Sequence, residues 1–180
     1  VSDVLLGIMK QAGGPEALGE LQSALSRILP IAAELHIPIE QVGAALATMR
    51  VQGAYAALVS GGFTAFTDAI AGVLGFDENR ANTLLSEGGK LTGGVADPIL
   101  GRAAKVQALE EISARLGFTP REAIAVGDGA NDLGMLGLAG TGVALHAKPS
   151  VQAECQVRVN HGDLTALLYL QGYARDQFTE

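Results

Sequence analysis

The sequence predicts an α/β fold, a Rossmann-like three-layer sandwich with a mainly parallel sheet, a helical N-terminal region and a small β-hairpin flap. Three observations predict it. From Tyr55 onward, apolar runs of strand length alternate with segments of helical periodicity, the pattern of parallel strands joined by helical crossovers. The run Ala123-Ile124-Ala125-Val126 is apolar without alternation, as befits a strand covered on both faces, and it ends abruptly in glycines and carboxylates. Before Tyr55 the apolar residues recur at helical spacing instead. The chain therefore divides into residues 1–53, a helical N-terminal region that is cap-like or a remnant, and residues 54–180, the core that carries the sheet.

Each element follows from a local signal. Gly13-Gly14-Pro15 breaks the chain and sets Pro at a first helical position, and Leu18, Leu21, Leu25 and Ile28 follow at helical spacing up to Pro30. After His36-Ile37-Pro38, Val42, Leu46 and Met49 mark a second helix that stops near Gly53. A strand over 55–59 breaks into Ser60-Gly61-Gly62-Phe63-Thr64, and a helix over 66–74 comes next. Glu87-Gly88-Gly89-Lys90 lies between β-prone pieces within 84–95 and predicts the hairpin flap. A long helix over 103–116 sets Val106, Leu109, Ile112 and Leu116 on one face. The strand over 123–126 is followed by a helix over 131–138, a strand over 142–145, a short helix after Pro149, a strand over 156–159 and a last helix from 163 to about 169.

Composition narrows the function classes. The 180 residues suffice for one core, and 12 basic against 19 acidic residues give a net charge of −7. With no basic cluster, a nucleic-acid partner is not expected. The single Cys155 cannot form an internal disulfide; it fits a reducing cytoplasm and reads as a small core residue rather than a nucleophile. No charged-then-apolar leader opens the chain and no apolar run reaches bilayer length, so a cytoplasmic protein without a membrane partner is expected. Nothing in the sequence sets an oligomeric state.

The chemistry gathers at strand ends. Asp128, Asn131 and Asp132 put two carboxylates and an amide into one strand-to-helix turn, where they repel unless a cation or hydrogen-bond donors offset them. A metal site on Asp128 and Asp132 answers this, as a helix cap would in part. Hard oxygen ligands at the carboxyl end of a parallel strand suit Mg²⁺. Gly127-Asp128-Gly129 also opens a dinucleotide fingerprint, but Asp132 occupies the third glycine position and would face the pyrophosphate. Ser60-Gly61-Gly62 ends another strand on the same sheet edge; its hydroxyl and backbone N–H groups form either a phosphate cradle or an ordinary glycine-rich turn. Lys105 stands near a helix start, where the dipole does not favour a cation, so it is either a partner for a phosphoryl group or a solvated surface lysine. His146 and His161 read as structural hydrogen-bonding residues, and Asp163 as a helix cap.

These residues resemble a known family. Ala57-Leu58-Val59-Ser60-Gly61-Gly62-Phe63-Thr64, Lys105 after Gly101-Arg102-Ala103-Ala104, and Ala125-Val126-Gly127-Asp128-Gly129-Ala130-Asn131-Asp132-Leu133 are similar, in order, to the second, third and fourth motifs of the phosphoserine phosphatases of the haloacid dehalogenase superfamily. His146-Ala147-Lys148-Pro149 and Asn160-His161-Gly162-Asp163-Leu164-Thr165 extend the likeness, which covers the chain from about Gly43 to the C-terminus. The resemblance implies a haloacid dehalogenase-like core and Mg²⁺-dependent hydrolysis of O-phosphoserine to serine and phosphate, the last step of serine biosynthesis. It implies that Ser60 and Gly61 hold the phosphate of this small substrate and that Lys105 balances its charge. It further implies that Asp128 binds Mg²⁺ as a catalytic residue and that Asn131 contacts the substrate phosphate.

One motif of that family is absent. Its nucleophile and its general acid/base lie in an Asp-x-Asp-x-Thr segment, and none occurs in these 180 residues. Ser2-Asp3-Val4-Leu5-Leu6-Gly7 comes nearest, with Leu5 where the second Asp belongs. Two expectations follow: a phosphoserine phosphatase whose site is completed by Asp3 or by residues outside this chain, or a noncatalytic binding or interaction protein that keeps the scaffold.

Overall fold

The computed structural model describes residues 39–179; Asp3 and the helix expected after Pro15 lie outside them. Along the chain come α1 (Ile39–Val51), β1 (Ala57–Phe63), α2 (Thr64–Leu74), β2 (Glu78–Asn82), the hairpin β3 (Leu84–Glu87) and β4 (Lys90–Val95), and α3 (Arg102–Leu116). A 3₁₀ turn, Pro120–Glu122, leads into β5 (Ile124–Gly127), α4 (Leu133–Leu138), β6 (Thr141–Leu145), α5 (Pro149–Glu154), β7 (Val157–Val159) and α6 (Thr165–Leu170), and a second 3₁₀ turn follows at Arg175–Gln177. The α/β class holds. All strands outside the hairpin run parallel, and each step between paired parallel strands passes through a helix.

Among the described residues the parallel strands form two separately hydrogen-bonded sheets, β1–β2 and β5–β6–β7, rather than one. Among the described residues both outer strands of each sheet, β1 and β2 in the first and β5 and β7 in the second, have an unpaired edge. The second sheet is the middle of a sandwich, because alternate residues of its strands point to opposite faces. Ala125 and Ala144 pack on one face with Leu136 of α4, Val151 of α5 and Leu109 of α3, whereas Val143 and Val159 pack on the other with Leu167 of α6. Cys155 joins the first cluster, and burial pushes its thiol up, which fits a core residue and not a nucleophile.

Local chemistry explains most boundaries. Helices α2 and α3 end at Gly75 and Gly117, both left-handed (φ 79° and 78°), a conformation glycine adopts without steric cost. Gly88 and Gly89 both have positive φ, as a two-residue hairpin turn of type I′ requires, so the expected flap forms.

Three expectations need correction. The strand expected over 55–59 begins at Ala57 and runs on through Ser60 and both glycines to Phe63, so Ser60 lies inside β1 and not past its end. Strand β2 was not foreseen, since Glu-Asn-Arg-Ala-Asn has neither β-branched residues nor alternation; its pairing with β1 and the burial of Ala81 and Asn82 make it a strand. The buried residues of α3 are Lys105, Ala108, Ile112 and Ser113, whereas Leu116, expected on the buried face, is 40% exposed in the last turn of the helix. A lysine occupies that face because it has a partner inside.

Candidate active site

Strand β5 delivers the turn from Gly127 to Asp132, and Asp132 organises it. Its N–H donates to the Gly129 carbonyl (3.0 Å), and its Oδ2 accepts from the N–H groups of Asp128 (3.2 Å) and Gly129 (3.0 Å). The carboxylate thus binds the loop behind it and caps nothing in α4 ahead. This fold-back leaves no room for a side chain at Gly127, where a Cβ would lie 2.5 Å from Asp132 Cβ. The other oxygen, Oδ1, accepts from Lys105 Nζ at 2.5 Å. Both partners are buried, at 9% exposure for Lys105 and 4% for Asp132, so this is an ion pair inside the protein rather than a surface contact. The solvated-lysine alternative is thereby removed.

Asp128 and Asn131 differ from Asp132. Both are exposed, and neither side chain hydrogen-bonds to another described residue. The Asp128 carbonyl accepts from Lys148 N–H (3.3 Å), which ties the loop to the segment after β6. There His146 stands at a left-handed φ of 46°, its Nε2 2.7 Å from the Gly162 carbonyl, and Asp163 Oδ1 accepts from Thr165 N–H (2.7 Å) at the start of α6. These are the structural roles expected of His146 and Asp163; His161 is exposed.

The Ser60 turn lies within β1. Ser60 Oγ accepts from Gly62 N–H (3.0 Å), and Gly61 is exposed. No hydrogen bond among the described residues joins Ser60 or Gly61 directly to Lys105, Asp128 or Asn131. The link runs through Asn82, which the sequence reading missed: its Nδ2 donates to the Gly61 carbonyl (2.9 Å), and its Oδ1 accepts from Leu100 N–H (2.7 Å), just before α3. An asparagine in a polar run carries no periodicity signal, so only its burial at 5% exposure reveals it.

For a cation, the donor set is partial. Asp128 offers an exposed carboxylate, unengaged among the described residues, of the hard-oxygen type that Mg²⁺ accepts, whereas both oxygens of Asp132 are already engaged. Among the described residues no group of three or more His, Cys, Asp or Glu side chains is placed to hold a metal ion. Asp128 therefore fits such an ion as one ligand of several.

Comparison with known proteins identifies the family. A profile of the haloacid dehalogenase-like hydrolases matches residues 3–137, starting well ahead of Gly43. The phosphoserine phosphatase of Polaromonas sp. is 50% identical over 117 residues, 63% of this chain and 50% of that protein. The phosphoserine phosphatase of Haemophilus influenzae is 45% identical over 123 residues, 68% of this chain and 39% of the relative. A solved phospho-aspartyl intermediate analogue of phosphoserine phosphatase is 35% identical, with a TM-score of 0.65 over 73% of this chain and 61% of that one. The chain thus spans between 39% and 61% of the length of these relatives.

Proposed function

This chain belongs to the haloacid dehalogenase-like hydrolase family, and we propose that it carries the phosphate-binding part of a Mg²⁺-dependent phosphomonoesterase acting on O-phosphoserine. The substrate is inferred from relatives that are phosphoserine phosphatases. One observation carries the reading: Asp132 fixes the buried Lys105 ammonium beside a loop whose Asp128 and Asn131 side chains are exposed and hydrogen-bond to no other described residue. An ammonium with one acceptor keeps two N–H groups for phosphoryl oxygens.

In this reading Ser60 and Gly61 hold phosphate oxygens, Lys105 offsets their charge and that of the transition state, and Asn131 donates to the same group. Asp128 is the metal ligand. Asp132, proposed with it from the sequence, has its oxygens committed and acts by holding Lys105 and the loop. Mg²⁺ bound at Asp128 would supply positive charge against the phosphoryl oxygens.

The reaction also requires a nucleophile. The phospho-aspartyl analogue in the solved relative points to a carboxylate. We assign it to a further parallel strand that takes the unpaired edge of β1 or β5. Asp3 is the candidate within this sequence, and an aspartate outside it is the other. Residues 1–53 are then a cap-like or remnant helical region, residues 54–180 the phosphatase core, and the reaction the last step of serine biosynthesis in the cytoplasm.

The test is Mg²⁺-dependent release of phosphate from O-phosphoserine by the purified chain, with Asp128→Ala beside it. Loss of a ligand should cost at least about 100-fold, since outer-shell partners alone cost 10–100-fold. No release by the parent chain, while Mg²⁺ and phosphate still bind, would instead favour the noncatalytic binding protein. That second reading rests on the absence of Asp-x-Asp-x-Thr from the sequence.

A further inference from the structure

Strands β1 and β2 stay in register through Val59↔Arg80 and then resume only at Phe63↔Asn82. Ser60, Gly61 and Gly62 therefore face one residue of β2, Ala81, and bulge out of the ladder. A bulge gives up ladder bonds, and what replaces them decides where it points. Within the bulge, Ser60 Oγ accepts from Gly62 N–H. From outside, the Asn82 amide donates to the Gly61 carbonyl at 2.9 Å, accepts from Leu100 N–H at 2.7 Å and lies 3.4 Å from the Leu100 carbonyl. Leu100 immediately precedes Gly101, the residue at the N-terminal end of α3, and Lys105 lies in the first turns of that helix.

We propose that Asn82 is a positioning residue of the phosphate site: its single amide sets the Ser60–Gly61 turn against the start of the helix that carries Lys105. It makes no contact with phosphate itself. The inference rests on the reading of Ser60, Gly61 and Lys105 as one phosphate site, and adds what holds them in one frame. The residue type is selective. The two segments present a carbonyl and an N–H, so the bridging side chain must donate and accept within one short planar group. Aspartate has nearly the same shape but, ionised, cannot donate to Gly61; alanine does neither.

The experiment titrates inorganic phosphate into the full chain, followed by calorimetry and by ³¹P NMR, for the parent, Asn82→Asp and Asn82→Ala. Leu168→Ala, a cavity variant in α6 at a residue only 1% exposed, serves as the control for general destabilisation. Amide hydrogen exchange reads the clasp itself. Asn82→Asp and Asn82→Ala should bind phosphate about tenfold more weakly, the effect of one lost buried hydrogen bond. Leu168→Ala should stay within about twofold of the parent at a comparable drop in melting temperature. The Leu100 amide should exchange faster in Asn82→Ala and stay protected in Asn82→Asp, which keeps the acceptor. If Asn82→Ala does not fold, the nearly isosteric Asn82→Asp decides. Phosphate affinity within about threefold of the parent in the folded Asn82 variants would overturn the positioning role alone, whereas a parent chain that binds no phosphate would remove the site reading together with this inference.

Discussion

Lys105 and Asp132 could not be buried alone. A charge taken out of water must be paired and hydrogen-bonded, and here Asp132 meets Lys105 with one oxygen and two backbone N–H groups with the other. Lys105→Met should therefore destabilise the fold by about 3 kcal/mol, because it leaves a buried carboxylate without its cation. Lys105→Met combined with Asp132→Leu should cost less than the sum of the single changes, since the uncompensated charge then disappears. Urea unfolding checks both. A solvated lysine would change stability by about 0.5 kcal/mol or less, and that result would sink the buried pair. The sequence raised the question, because a cation near a helix start lacks support from the dipole. It could not name the partner, which lies 27 residues away on another element.

Strand β2 and helix α3 meet in a charged cluster away from the phosphate turn. Glu78 receives hydrogen bonds from Arg80, Arg115 and Tyr55, and Arg80 also reaches Glu111. Partial burial pushes the Glu78 carboxyl up, but the hydrogen bonds from Arg80, Arg115 and Tyr55 outweigh it and hold the group at about 2. A carboxyl whose folded pKa is depressed contributes stability that is present above its unfolded value, near 4.5, and is lost as pH falls toward 2. Lowering the pH across that window should thus remove on the order of 2 kcal/mol attributable to Glu78, a figure reduced from the full shift because Arg115 is half exposed to screening solvent. Glu78→Gln should flatten this part of the stability profile in acid unfolding followed by circular dichroism; an unchanged slope between pH 4.5 and 2 would show that the cluster contributes nothing. The cluster also explains how a polar pentapeptide becomes a strand. Its charge contacts tie it to α3 and the Glu78–Tyr55 hydrogen bond ties it to the residues before β1, while the Asn82 amide reaches Gly61 within β1.

At the scale of the molecule, helix α3 connects the two parallel sheets. Its Glu111 and Arg115 bind residues of β2, while Lys105 pairs with Asp132 at the end of β5 and Leu109 packs on the core of the second sheet. Both sheets should then unfold in one cooperative transition. Ile112→Ala, in the middle of the buried face of α3 at 6% exposure, should cost about 3 kcal/mol and weaken both sheets equally. Native-state hydrogen exchange checks this at the amides of Leu58 in β1 and Val143 in β6; loss of protection in one sheet only would mean that α3 does not couple them.

By itself the sequence determined most of the alternation of strands and helices, the hairpin turn at Gly88 and Gly89 and the core position of Cys155, and it nominated residues for the candidate site. Those depend on periodicity, backbone freedom and residue chemistry, which act over a few neighbouring positions. Only the tertiary structure decided that the polar Glu78–Asn82 segment is a strand, that the parallel strands hydrogen-bond as two sheets, that Asp132 binds Lys105 and its own loop, and that Asn82 joins Gly61 to Leu100. Each of these rests on a contact between residues distant in the chain, where a buried charge or amide takes whichever partner the packed fold brings within reach.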